Sequence, residues 1–146
     1  MMSRLNYYEV DAKSIKGLLE IEKYVHQSGL EPSLYELVKI RASQINGCAY
    51  CLNMHTRDAR KAGETEQRIY LLSAWRETEL YTEREKAALE WTEAMTLIAG
   101  KPIPDEIYNQ LSQHFSESEI VALSMAIVAI NSWNRLAISF EKKLED

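Results

Sequence analysis

The sequence predicts an all-helical protein. Apolar residues recur three and four positions apart instead of alternating. Only 5 Gly and 3 Pro interrupt 146 residues, and no run carries the period-two pattern of a half-buried strand. The first helix is expected over about residues 11–29, on a stripe of Ile15, Leu18, Leu19, Glu22 and Val25 that a charge breaks once. Pro32 suits the first turn of a second helix reaching about Asn46. A third begins around Gly47 and Cys48 and stops at Gly63, since glycine accommodates the left-handed turn past a helix end. A fourth is expected over about 65–76, with Ile69, Leu72 and Trp75 on its apolar side. Thr82 and Glu85 form a T-x-x-E capping box for a fifth helix over 83–99, closed by Gly100 and by Pro102 and Pro104. A short helix over 105–114 follows. Ser116 and Glu119 then cap a long last helix to about Lys143, whose segment 120–130 is apolar nearly all round, as in a bundle centre or a subunit interface.

No linker, repeat or low-complexity tract divides the chain, so one domain over 1–146 is expected. A domain of this length buries roughly 70% of its unfolded surface and needs no disulfide or metal staple, which leaves both cysteines available for chemistry. There are 17 basic and 22 acidic residues, interspersed, and the net charge of -5 argues against general nucleic-acid binding, which needs a basic face. The longest largely apolar run, 121–130, is about half of the roughly 20 residues that span a bilayer. The start of the chain lacks the apolar core of a secretory signal, so the expected location is the cytoplasm, where thiols stay reduced.

Both cysteines fall in one segment, Asn46-Gly-Cys-Ala-Tyr-Cys-Leu-Asn-Met-His55, a C-x-x-C followed four residues later by histidine. At about 100° per residue from Cys48, Cys51 falls near 300°, His55 near 340°, Ala59 near 20° and Leu52 near 40°. One arc of a helix therefore holds both thiols, the imidazole and small apolar residues, with Asn53, Arg57, Arg60 and Lys61 opposite. A semi-buried site is expected. A thiol of pKa near 8.5 is about 3% ionised at neutral pH, and lowering it by about two units needs roughly 2.7 kcal/mol. A helix N-terminus supplies about 0.3–1 kcal/mol, so a neighbouring imidazole must contribute the rest, and His55 is the histidine placed to do so.

Three other readings stand beside a redox-active dithiol. A structural disulfide closing four residues is worth only about 2 kcal/mol on the chain-entropy estimate. A zinc site could use Cys48, Cys51 and His55, but three ligands on one helix lack a fourth. Inert packing of two small hydrophobes is the third.

This motif, the helical pattern around it and the Asn131-Ser-Trp-Asn-Arg-Leu-Ala segment resemble the AhpD-like alkylhydroperoxidases of the carboxymuconolactone decarboxylase family. The resemblance is strongest over 32–75. Peroxidases of that family carry a glutamate twelve residues before the C-x-x-C, which lands on Glu36. It implies an AhpD-like bundle of about six or seven helices and a thiol peroxidase or dithiol oxidoreductase that needs no cofactor and no metal. Cys51 would attack the hydroperoxide, Cys48 would resolve the sulfenic acid, and Glu36 and His55 would relay protons. It further implies an external dithiol reductant such as a lipoylated protein, and a homo-oligomer, trimer or hexamer. An acid-base decarboxylase using the same fold without the cysteine pair is the alternative within the family.

Two features pull against the resemblance. Ser33 precedes Glu36 by three, so S-x-x-E also reads as a capping box, and on a helical wheel Glu36 lies opposite the apolar cluster of Leu34, Leu37, Val38 and Ile45. Tyr50 occupies the place where the best-known peroxidases have a further histidine, and tyrosine, with pKa near 10, is a poor base at neutral pH. His26 and His114 read as partners of helix C-termini, and Trp75, Trp91 and Trp133 as core or interface anchors. No phosphate loop, G-x-S-x-G or H-E-x-x-H motif occurs.

Overall fold

Helix boundaries follow the caps written into the sequence. In a computed structural model that describes residues 4–144, the chain forms α1 (Tyr7–Val10), α2 (Lys16–Gln27), α3 (Pro32–Asn46), α4 (Ala49–Lys61) and α5 (Glu66–Tyr70). It continues as α6 (Glu83–Thr96), α7 (Asp105–Ser112) and α8 (Glu117–Ser139). Two 3-10 segments, Ala12–Ile15 and Leu72–Glu77, complete the regular structure, and the described residues contain no strand element. Both expected capping boxes form: Thr82 and Glu85 at α6, and Ser116 and Glu119 at α8.

Five features differ from the sequence reading. The first helix is split, because the Asp11 side chain accepts from the Lys13 backbone and starts a 3-10 turn before α2. Ahead of it lies α1, capped by Asn6, which the periodicity did not indicate. The expected fourth helix stays α-helical only to Tyr70 and then tightens, with Ala74 outside helical geometry at φ -119° and ψ 30°. In 3-10 geometry residues three apart eclipse, which puts Leu72 and Trp75 together in the core beside Leu37, Ile40 and Leu89. Finally, α6 ends at Thr96 and α8 at Ser139, both short of the expected ends.

α8 packs against α2, α3, α4, α6 and α7. Its length and composition would let it pass for a membrane span, with half of its most apolar window buried. Here Leu123, Ala126 and Ile127 join Leu34, Val38 and Phe115 in one core cluster, and Ile130 is buried as well. α3 is equally central, covered by α4, α6 and α8. Eight of its residues are buried, including Lys39 and Ser43, so it has no broad solvent face.

A tight reversal joins α3 to α4. Gly47 adopts φ 71° and ψ 36° and donates to the Gln44 carbonyl at 3.3 Å, while the Cys48 N–H donates to the Ser43 carbonyl at 3.0 Å. This is a Schellman stop, and it leaves Cys48 as the N-cap of α4 with its sulfur facing the Cys51 N–H at 3.3 Å. A left-handed conformation costs a residue with a Cβ about 1–2 kcal/mol. Gly47→Ala should therefore lower unfolding stability by about that amount, read as a lower denaturant midpoint at unchanged slope, although open space surrounds the added methyl. An unaltered midpoint would contradict this account of the turn.

Candidate active site

Beneath the reversal lies a polar network tying α3 to α8. The Asn46 amide donates to Asn131 Oδ1 at 3.0 Å and to Asn134 Oδ1 at 2.9 Å, and the fully buried Asn134 donates to Ser43 Oγ at 3.0 Å. Asn131 in turn donates to Thr96 Oγ1 on α6 at 3.1 Å. Buried polar groups persist only when paired, and these pairings fix the last turn of α3, from which the cysteine turn departs.

The Cys48 and Cys51 sulfurs are joined as a disulfide, with Cα atoms 5.3 Å apart. Both residues are almost fully buried and pack with Ala137 of α8 and with Tyr50. The inward arc expected of α4 is observed: Cys51, His55 and Ala59 are buried, while Arg57, Arg60 and Lys61 are exposed. Among the described residues no group of three or more His, Cys, Asp or Glu side chains is arranged to hold a metal ion.

The alternative reading of Ser33 and Glu36 as a capping box does not hold: the N-cap of α3 is Glu31, without a side-chain capping bond, and Ser33 is exposed. Glu36 instead points to α4, where its Oε2 faces His55 Nδ1 at 3.4 Å. That is longer than the roughly 2.9 Å of a well-formed N–H···O bond. Both atoms are buried and neither has another hydrogen-bond partner. The Glu36 Oε1 accepts from the Lys39 ammonium at 3.3 Å, and Lys39 stands 3.6 Å over the Tyr35 ring. Burial pushes the Glu36 carboxyl up, but His55 and Lys39 together outweigh it and hold the group below its ordinary 4.5. The wheel set Glu36 on a polar side because a single helix cannot reveal that α8 and α4 cover that side.

A cavity of about 260 Å³ opens beside Cys51 and His55. Its walls are Tyr7 and Tyr8 of α1, Leu19 of α2, Tyr50 and Met54 of α4, and Trp133 of α8. Lys39, Lys142, Glu22 and Ala137 complete it. Glu22 has both oxygens engaged, Oε1 by Trp133 Nε1 at 3.2 Å and Oε2 by the Tyr35 hydroxyl. Trp133 is thus a cavity wall as well as a packing anchor. Trp75 is a core residue, and Trp91 donates to Ser124 Oγ at 2.9 Å. Neither His26 nor His114 lines the cavity: His26 stacks edge-on against Tyr35, and the His114 carbonyl accepts from Arg84.

Sequence reasoning brought Cys48, Cys51, His55 and Glu36 to the site but missed Lys39, Glu22 and the two terminal segments. The Glu36-x-x-Lys39 spacing was a usable signal for the first. Nothing in the pattern tied Tyr7, Tyr8 or Lys142 to residues over forty positions away.

The carboxymuconolactone decarboxylase family profile matches residues 12–94, and the chain belongs to that family as an AhpD-like member. YdfG, an uncharacterized protein of Bacillus subtilis (strain 168), is 50% identical over 139 residues, 95% of each chain. A crystal structure from Agrobacterium tumefaciens, of unknown function and proposed as an antioxidant defence protein AhpD, superposes with a TM-score of 0.93 at 45% identity, covering 98% of each chain. The debrominase Bmp8 shares the fold at 17% identity and a TM-score of 0.83, over 94% of this chain and 73–74% of its own.

Because the Glu36 carboxyl is depressed in the folded protein, its contribution to stability is present above the ordinary value of 4.5 and is lost as pH falls through the folded value. Relative to Glu36→Gln, the wild type should lose stability on acidification through that range, measured by denaturant unfolding at several pH values. Parallel pH profiles for the two proteins would rule out the His55 and Lys39 pairing as the cause.

Proposed function

We propose that the protein is a thiol-dependent peroxidase, or more generally a dithiol oxidoreductase, cycling between the Cys48/Cys51 dithiol and its disulfide. The observation that carries this reading is a bonded sulfur pair of which Cys51 lines a cavity, together with His55, whose Nδ1 faces a buried carboxylate.

In the reduced protein His55 takes the Cys51 proton, and the Lys39 ammonium in the same cavity favours the thiolate. The thiolate attacks the terminal oxygen of a hydroperoxide and the O–O bond breaks. The departing alkoxide takes the proton back from His55, giving an alcohol and a Cys51 sulfenic acid. Cys48, three residues earlier at the cap of the same helix, then displaces water from that sulfenic acid and closes the disulfide. Overall, one hydroperoxide and two thiols become one alcohol, one water and one disulfide. An external dithiol restores the thiols by exchange. Glu36 orients the His55 ring and stabilises its protonated form through Nδ1, so it acts through the imidazole. The working compartment is the cytoplasm, whose reducing poise supplies such a donor.

Cys51→Ser should abolish hydroperoxide turnover, whereas acid-base chemistry through His55 and Glu36 alone would survive it. His55→Gln should slow the peroxide step by about 10²–10⁴-fold, the usual range for a positioned acid-base group. Stopped-flow oxidation of the reduced proteins measures both. Full turnover in Cys51→Ser, or stoichiometric zinc in protein purified anaerobically, would replace this reading.

A further inference from the structure

Charge is unevenly placed around the cavity. Glu22 stands on its α2 and α8 side, with both oxygens already accepting hydrogen bonds. Glu36 lies behind the wall and is matched by Lys39 and His55. Lys142 is the exception: its ammonium lies 4.1 Å over the Tyr50 ring and 5.2 Å from the Tyr8 ring centre, half-buried, and no carboxylate among the described residues pairs with it.

The backbone is bent to put Lys142 there. After α8 the chain reverses at Glu141, which holds a left-handed φ of 52°. This is the one non-glycine residue with positive φ among those described. The Glu141 N–H donates to the Ile138 carbonyl at 3.2 Å and the Lys142 N–H to the Ala137 carbonyl at 2.9 Å. This turn repeats the pattern at Gly47, but with a side chain that resists it. Arg4 fastens it, donating to the Ser139 carbonyl at 2.9 Å and pairing with Glu141 at 3.2 Å. Tyr7 packs on Phe140 from the same side. A conformation disfavoured for glutamate is thus held by both terminal segments, and what it delivers to the cavity is a cation.

Resting on the redox reading of this same cavity, we infer that the substrate is an organic hydroperoxide bearing a carboxylate, which binds with its anion on Lys142 and its apolar body against Tyr8, Tyr50 and Trp133. The hydroperoxide end then reaches Cys51, which lies in the same cavity as Lys142. Hydrogen bonds from an ammonium to a carboxylate are stronger than neutral ones, and at a half-exposed ammonium such as Lys142 they are still screened by salt.

The test compares cumene hydroperoxide with its para-carboxylate as oxidants of the reduced full-length protein, in wild type, Lys142→Gln and Lys142→Arg. Wild type should favour the carboxylate by about tenfold in kcat/KM, equivalent to about 1.4 kcal/mol. Lys142→Gln should bring the ratio close to one, and Lys142→Arg should keep it. If Lys142→Gln fails to fold, the salt dependence of the wild-type ratio decides: the preference should shrink between low and high ionic strength. Equal rates for both oxidants in wild type, a preference surviving in Lys142→Gln, or a ratio indifferent to salt would each overturn the inference while leaving the peroxidase reading in place. If neither oxidant consumes the thiols, both fall together.

Discussion

Between the last turn of α3 and the first of α4 the chain reverses at Gly47, and the cysteine site is built on how that reversal is held. The Ser43 and Gln44 carbonyls bind the turn from one side. Asn134 holds Ser43 and Asn46 from α8. With the turn fixed, Cys48 becomes the cap of α4, Cys51 follows one turn along, and His55 lies a turn further on the same buried face. Glu36, three turns back along α3, then meets His55 across the helix pair. Four residues scattered over twenty positions are brought together by one glycine and a small amide network.

This arrangement places the reactive groups in the interior. Cys48 and Cys51 are nearly inaccessible, and the imidazole, carboxylate and ammonium behind them are largely withdrawn from water. In such surroundings electrostatic interactions are strong, and an unpaired charge is costly. The Glu36, His55 and Lys39 cluster answers that cost by sharing charge among three groups. It also leaves one buried nitrogen and one buried oxygen with no partner except each other, a place where a proton can pass.

Local chemistry was legible in the sequence where a single helix turn encodes it. The capping boxes at Thr82 and Ser116, the glycine turn at Gly63 and the inward arc of α4 all depend on residues within four positions of one another, and all are observed. What could not be read there depends on neighbours. Glu36 has a polar wheel position that becomes interior only because α8 and α4 cover α3 on that side. The kink after Tyr70 is set by the shape of the core that receives Leu72 and Trp75. The cavity roof, formed by Tyr7, Tyr8 and Lys142, joins opposite ends of the chain, and no local pattern announces that meeting. Asn6 at the cap of α1, with Glu9 three residues on, was a legible sign of the first helix that periodicity alone passed over.

The central claim is a division of labour between two sulfurs: Cys51, on the cavity, meets the oxidant, and Cys48, at the helix cap, closes the bond. The most direct measurement is mass-spectrometric trapping of sulfenic acid with dimedone after one equivalent of hydroperoxide is added to reduced Cys48→Ser and Cys51→Ser proteins. The account predicts an adduct on Cys51 in the first and none on Cys48 in the second. An adduct confined to Cys48, or labelling of both residues to the same extent, would contradict it.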